Sequence, residues 1–67
     1  MPILTGAELR VLGALEDLIA ELGYAPTYAQ MLARLGWSSK GALHQYLNQL
    51  RAKGVISGSG RSLRVVR

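Results

Sequence analysis

Apolar residues recur at three- and four-residue steps in the first third of the chain, which is the spacing of one face of an α-helix. A Thr-Gly-Ala-Glu sequence at residues 5–8 precedes them. It has the form of a capping box, in which both side chains bond backbone N–H groups at a helix start. Gly23 suits the left-handed conformation that ends many helices. The pattern predicts a first helix over residues 6–22. Its apolar positions are Leu9, Leu12, Leu15, Leu18, Ile19 and Leu22.

Two more helical segments follow, separated by a short turn. Pro26 disfavours helix in the residue before it, so the chain cannot continue as one helix. A second capping box at residues 27–30 then predicts a second helix over residues 28–35. After the turn at residues 36–38, the leucine spacing predicts a third helix over residues 40–53. Two helices joined by a short glycine-containing turn are typical of a helix-turn-helix motif.

The apolar period changes after the third helix. A short β-branched run at residues 55–57, a glycine-rich turn at residues 58–60 and an alternating run at residues 62–66 predict a β-hairpin. A lone hairpin is unstable in water and must pack on the helices. We therefore expect Leu63 and Val65 to face inward.

These elements predict one small domain over residues 1–67. Its class is α+β and mostly helical, with three helices followed by a two-stranded β-hairpin wing over residues 55–66. This arrangement is a winged helix-turn-helix. With 67 residues, such a domain buries only about 60% of the surface of its unfolded chain, so its stability margin is thin.

Charge is distributed unevenly along the chain. Residues 1–33 carry one basic residue against four acidic ones, whereas residues 34–67 carry seven basic residues and no acidic one. This asymmetry is typical of a nucleic-acid binder, although a basic surface can also lack a partner.

The composition argues against several other classes. The chain has no cysteine and one histidine, and its four carboxylates lie in the first helix, so no arrangement of acid, base and nucleophile is visible. We expect no enzyme activity, cofactor, metal site or small-molecule substrate. No apolar run is long enough to cross a bilayer, and no signal peptide is visible, so we expect no membrane association and a cytoplasmic location.

Several short motifs resemble those of the N-terminal winged-helix domain of LexA-type SOS repressors. They are Ala-Pro-Thr at residues 25–27, Arg-Leu-Gly-Trp at 34–37, Leu-x-x-Leu at 47–50 and Lys-Gly-Val-Ile at 53–56. The resemblance covers almost the whole chain. It implies a double-stranded DNA-binding domain whose third helix enters the major groove.

The sequence also departs from that family's pattern. The family's third helix commonly opens Ser-x-Asn-Ala with acidic residues soon after, whereas this chain has Ser-Lys-Gly-Ala at residues 39–42 and His-Gln at 44–45. The family's operator sequence therefore does not carry over. The 67 residues also contain no linker or serine–lysine peptidase domain, so self-cleavage is not inferred.

The polar side of the third helix carries the candidate base contacts. Gln45 and Asn48 have amides that can bond adenine N6 and N7. His44 can donate to guanine N7 or O6, or pair with a phosphate. Gly41 and Ala42 allow close approach, and Ala42 can contact a thymine methyl group. The alternative is an ordinary solvated helix face. The predicted base contacts are Gly41, Ala42, His44, Gln45 and Asn48.

Other polar residues are expected to position the protein on the phosphate backbone. Ser39 lies at the N-terminus of the third helix, where its hydroxyl and the free N–H groups suit a phosphate. The alternative role is a plain helix cap, and both roles are compatible. Tyr28 is a phosphate donor or a core residue. Arg61 and Arg64 lie on the wing, where arginine can follow phosphates or enter the minor groove. The predicted phosphate contacts are Thr27, Tyr28, Ser39, Lys40, Lys53, Arg61 and Arg64.

Three remaining residues receive structural interpretations. Trp37 lies between the second and third helices, and we interpret it as a core residue rather than a stacking platform. Arg34 and Arg51 are interpreted as solubilising charges.

Two functions therefore remain open. The first is a sequence-specific DNA-binding transcriptional regulator, in particular a repressor. The alternative is a small protein-interaction module that acts on RNA polymerase or a larger repressor. We expect weak self-association, with a dimer forming on palindromic DNA or through a larger partner, because one recognition helix reads few base pairs.

Overall fold

The computed structural model describes residues 3–58 and 60–66 and contains three α-helices followed by a two-stranded antiparallel sheet. The predicted winged-helix arrangement is confirmed. Ser59 of the predicted turn and Arg67 of the basic half lie outside the described residues. The elements are α1 (Gly6–Leu22), α2 (Tyr28–Leu35), α3 (Lys40–Ala52), β1 (Ile56–Ser57) and β2 (Arg64–Val65).

Helix α1 begins and ends where the sequence predicts. Thr5 Oγ1 accepts from the Glu8 backbone N–H at 3.2 Å, and Glu8 Oε1 accepts from the Thr5 N–H at 2.8 Å. Gly23 ends the helix with a φ of 78°. The expectation for Leu9 is wrong, because its side chain is 52% exposed. The buried face of α1 is centred near Leu15, and at about 100° per residue Leu9 falls well outside it.

The turn between α2 and α3 is set by the way α2 ends. Gly36 has a φ of 74°, and its N–H bonds the Ala33 carbonyl at 3.3 Å. The Trp37 N–H bonds the Leu32 carbonyl at 3.0 Å, which completes a Schellman motif. This turn places Trp37 against the core, with its ring centroid 5.4 Å from that of Tyr46. The core interpretation of Trp37 is confirmed.

The same motif directs the chain from α3 into the wing. The Val55 N–H bonds the Leu50 carbonyl at 3.2 Å, and Gly54 has a φ of 77°. Helix α3 ends at Ala52, with Lys53 as its C-cap, one residue before the predicted end. Val55 and Leu50 are both buried, as the apolar contact of this motif requires.

The wing is shorter in regular structure than predicted. In the antiparallel pair Ile56 lies opposite Val65. The second strand was expected over residues 62–66, but Gly60–Ser62 forms a 3₁₀ turn that is closed by a bond from the Leu63 N–H to the Gly60 carbonyl at 3.3 Å. Because this turn uses the start of the predicted strand, the paired segment is limited to two residues.

The inward-facing residues of the wing are confirmed. Leu63 is buried and Val65 is half-buried against the core. Gly58 has a φ of 79°, and a Cβ atom there would collide with the carbonyl oxygen of Ser62. Only glycine allows the two sides of the hairpin to approach this closely.

One hydrophobic core joins the helices to the wing. Each helix contributes its apolar face, and three residues after α3 complete the cluster. Burial of these side chains stabilises the fold by about 25 cal/mol for each Å² of apolar surface removed from water. The buried members are Val11, Leu12, Leu15, Leu18, Met31, Leu43, Leu47, Leu50, Val55, Ile56 and Leu63.

A buried charge lies at the edge of this core. The Glu8 side chain is 1% exposed, and its Oε1 accepts from the Lys53 ammonium at 2.7 Å as well as from Thr5. Lys53 also donates to the Ile3 carbonyl at 2.9 Å. The bond from Lys53, followed by that from the Thr5 backbone, holds the pKa of Glu8 below its ordinary value. The Glu8–Lys53 contact therefore links the first turn of α1 to the end of α3. Removing one partner would strongly destabilise the fold, because it would leave an unpaired buried charge.

We predict that Glu8 makes stability fall in acid. Because its pKa is lowered in the folded state, the ionised carboxylate stabilises the fold above the unfolded value of about 4.5. That contribution disappears as pH falls through the lower folded pKa. Glu8→Gln should therefore have a lower urea midpoint at pH 7 and a shallower decline than the wild type between about pH 5 and about pH 3.

The control is Glu21→Gln, which removes an exposed partner of Arg34. It should change the urea midpoint little, since exposed ion pairs contribute about 0–1 kcal/mol. Equal acid sensitivity of Glu8→Gln and the wild type would contradict the prediction.

Candidate nucleic-acid interface

Helix α3 separates its apolar and polar residues cleanly. Leu43, Leu47 and Leu50 are buried on one side. The predicted base-contact residues lie on the other side, where all are exposed except the half-buried Ala42. The described side chains therefore form one continuous surface along the helix. Its members are Gly41, Ala42, His44, Gln45 and Asn48.

The beginning of α3 is open to solvent. Ser39 is the N-cap, and its Oγ accepts from the Ala42 N–H at 3.2 Å. The cap interpretation of Ser39 is confirmed, and its phosphate contact stays a prediction. Ser39, Lys40 and Gly41 are all exposed, so the positive end of the helix dipole is accessible to an anion.

Tyr28 and His44 join the two helices of the motif. The Tyr28 hydroxyl lies 3.0 Å from His44 Nδ1 and forms a hydrogen bond. The Tyr28 ring is half-buried and packs against the core, whereas His44 is exposed. Tyr28 is thus a core residue whose hydroxyl contacts the candidate reading residue. From the sequence, Tyr28 was assigned to a phosphate or the core and His44 to the bases, and nothing indicated that the two side chains meet.

Arg51 connects α3 to the wing, a role that the sequence analysis missed. Its Nε and Nη2 donate to the Gly58 carbonyl at 3.0 and 2.9 Å. Its Nη1 donates to Asn48 Oδ1 at 2.8 Å. The solubilising interpretation of Arg51 is wrong, because the guanidinium holds the hairpin in position. The amide oxygen of Asn48 therefore already accepts a hydrogen bond within the protein.

Two other cations, Lys53 and Arg34, also form ion pairs within the protein. Lys53 contacts Glu8 and the Ile3 carbonyl, so its charge is neutralised at the edge of the core. Arg34 donates to both oxygens of Glu21 at 2.5 Å, which makes it an inter-helix contact between α1 and α2. The interpretation of Arg34 as only solubilising is incomplete.

Three of the four predicted cationic phosphate contacts are exposed and have no side-chain partner in residues 3–58 and 60–66. Lys40 opens α3, Arg61 lies in the 3₁₀ turn of the wing, and Arg64 lies on β2. These charges are available to a ligand without breaking a contact inside the described part of the chain.

The wing places its two arginines differently. Arg61 lines a small cavity with Thr27 and Tyr28 at the start of α2, next to the Tyr28–His44 pair. Arg64 lines a separate groove with residues of α1, such as Ile19. Thr27 is the exposed N-cap of α2, and its Oγ1 accepts from a backbone N–H at 3.1 Å. The structure thus brings Arg61, but not Arg64, beside the helix-turn-helix contacts.

The described residues contain no group of three or more His, Cys, Asp or Glu side chains arranged to hold a metal ion. No helix in the described part of the chain is both long and apolar enough to span a membrane.

The fold and its exposed helix define a winged helix-turn-helix protein. The LexA DNA binding domain family matches residues 1–64, so this chain belongs to that family. It is 36% identical to the LexA repressor of Pectobacterium carotovorum subsp. carotovorum (strain PC1), covering 98% of this chain and 34% of the relative. Identity to the LexA repressor of Polaromonas naphthalenivorans is 37%, covering 96% and 29%.

A third relative, the LexA repressor of Marinomonas sp., is 38% identical over 94% of this chain and 32% of its own length. The chain thus spans about a third of the curated relatives that it matches. Family membership confirms the resemblance found in the sequence and favours DNA binding over a protein-interaction module.

We predict that Arg51 stabilises the wing. Arg51→Met keeps the aliphatic part of the side chain and removes its bonds to Gly58 and Asn48. The free energy of unfolding should fall by about 1–2 kcal/mol, and amide exchange should accelerate at Val66, whose N–H bonds the Val55 carbonyl across the hairpin at 2.9 Å. Urea denaturation and NMR hydrogen exchange measure these two effects. Arg10→Met, at an exposed position of α1, is the control, and equal effects of both variants would contradict the prediction.

Proposed function

We propose that this protein is a transcriptional repressor module that acts by binding a specific sequence in double-stranded DNA. One observation carries the proposal. An exposed polar face of α3 begins at an open helix N-terminus and lies opposite a fully buried leucine face. A helix held by one face in this way can present its other face to the major groove.

The proposed docking assigns different tasks to the exposed residues. The first half of α3, with His44 and Gln45, would meet the base edges. Ser39 and Lys40 at the start of α3, Thr27 at the start of α2 and the wing arginines would contact phosphates. Those contacts set the position and orientation of the protein on the duplex, whereas the base contacts set its sequence preference.

The availability of cations limits the expected electrostatic contribution. Lys53, Arg34 and Arg51 already contact other groups of the protein. Among the described residues, Lys40 and Arg61 are exposed cations beside the helix-turn-helix contacts, and Arg64 is a third exposed cation, on the second strand of the wing. Lys40, Arg61 and Arg64 would therefore contact phosphates, whereas Lys53 would not.

We predict a moderate salt dependence. If three cations displace counterions, log K should fall against log salt concentration with a slope of about −3 per protomer. Fluorescence anisotropy with random-sequence duplex DNA measures this slope. Arg61→Ala should weaken binding on all sequences alike and flatten the slope by about one unit. A slope near zero for the wild type would exclude DNA binding as the function.

Gln45 should affect sequence preference rather than general affinity. Gln45→Ala is expected to lose about 1–3 kcal/mol on a selected site, with little change on random DNA, because it removes a base contact and no charge. Gln49→Ala is the matched control, since Gln49 is exposed on the same helix one turn further along. If Gln45→Ala weakens specific and random DNA equally, α3 does not read the sequence.

We also propose that self-association in free solution is weak. A standard interface takes about 800 Å² from each partner, which is about a fifth of the 4234 Å² surface of this chain. The large exposed apolar side chains among the described residues are Ile3 before α1, Leu9 within it, Tyr24 after it and Val66 after β2. A pair of molecules on a palindromic site would instead gain affinity from effective concentration.

We predict a monomer at about 10 μM in sedimentation experiments. A wing-to-wing or helix-to-helix contact in a domain of this size would bury less than about 1,200 Å², and interfaces that small are weak and transient. Two half-sites one helical turn apart should be bound more tightly than one half-site. A stable dimer in free solution would contradict the first expectation. Equal affinity for one and two half-sites would contradict the second and indicate a monomeric binding mode.

A further inference from the structure

Tyr28 constrains the His44 imidazole by a hydrogen bond to Nδ1, on the side of the ring that faces α2. The Tyr28 ring is packed against the core at the start of α2, and its hydroxyl reaches His44 Nδ1 at 3.0 Å. The two ring centroids are 6.3 Å apart and the planes are tilted by 36°, so the contact is a hydrogen bond rather than stacking. With Nδ1 held toward α2, the Nε2 edge of the exposed ring is the edge left for a ligand.

The hydrogen bond decides which nitrogen carries the proton. A neutral imidazole has one donor nitrogen and one acceptor nitrogen. A phenol is a stronger acid than a neutral imidazole N–H, so the favoured arrangement has the Tyr28 O–H donating to Nδ1. The hydrogen of the neutral ring then lies on Nε2. In the protonated ring both nitrogens carry hydrogen, and Nε2 remains a donor.

We propose that Tyr28 makes His44 an obligate hydrogen-bond donor toward the major groove, so that His44 reads guanine. Guanine presents two acceptors, N7 and O6, on its major-groove edge. Adenine places a donor beside its N7, thymine has one acceptor beside a methyl group, and cytosine presents a donor. Tyr28 is then a positioning residue that sets base preference without touching the base. This inference rests on the proposed DNA-binding function and adds a base preference to it.

Selection from a random duplex pool tests the preference. The wild type should enrich guanine at one position of its site, and His44→Ala should lose the preference there while keeping the others. Tyr28→Phe retains the ring and removes only the hydroxyl. It should weaken the guanine preference at that same position by about 5- to 10-fold. Tyr24→Phe is the matched control, because Tyr24 is 60% exposed, and it should select the wild-type site.

A modified base tests the contact directly. Replacing the selected guanine by 7-deazaguanine removes the N7 acceptor, so wild-type binding should weaken by about 5- to 10-fold, whereas binding of His44→Ala should not change. If His44 contacts a phosphate instead, His44→Ala will weaken all sequences equally, and the proposal fails. If the wild type enriches no sequence and binds no duplex, the proposed function fails with it.

NMR of the protein without DNA provides a measurement that does not depend on DNA binding. Nitrogen chemical shifts of His44 should show the hydrogen on Nε2 of the neutral ring, and Tyr28→Phe should shift this tautomer balance. A neutral ring with its hydrogen on Nδ1 would overturn the proposal even if the protein binds DNA. A purely structural role of Tyr28 would lower stability without moving either the tautomer or the guanine preference.

Discussion

The ion pair between Glu8 and Lys53 joins the first turn of α1 to the residue at which α3 ends. A charge 1% exposed at this position is tolerated only because Lys53 and the Thr5 backbone donate to it. The wing leaves α3 immediately after Lys53, so the pair also fixes the point from which the hairpin starts. A domain of this size has few buried contacts to spare, and the geometry of its exposed surface depends on this junction.

Arg51 extends the same constraint outward. By donating to the Gly58 carbonyl it holds the hairpin against α3, and by donating to Asn48 it orders part of the polar face. Internal contacts of this kind remove cations from the interface. The basic half of the chain therefore has more positive charge than it can offer to phosphates, and the electrostatic contribution to binding is set by the exposed cations rather than by the net charge.

Family membership and structure explain different parts of the proposed activity. The match over residues 1–64 places the chain in the LexA DNA-binding domain family, which accounts for the fold and for DNA binding. The proposed base preference comes from this chain's own side chains, because Gly41, His44 and Gln45 depart from the third-helix pattern that the resemblance implies. The contact between Tyr28 and His44 shows how such a difference involves both helices of the motif.

Most of the fold could be predicted from the sequence, because it depends on local signals. Capping boxes, glycine stops and apolar periodicity act within a few residues, and the three helices begin where those signals predict. The strand of the wing was predicted too long, since a 3₁₀ turn competes locally with β pairing at Gly60–Ser62. The polar residues of α3 could also be assigned to its exposed face from their spacing alone.

The sequence did not indicate which charged side chains are available to a ligand and which contact other parts of the protein. Lys53 meets Glu8 across 45 residues, and Tyr28 meets His44 across 16, because only the packing of the helices brings those side chains together.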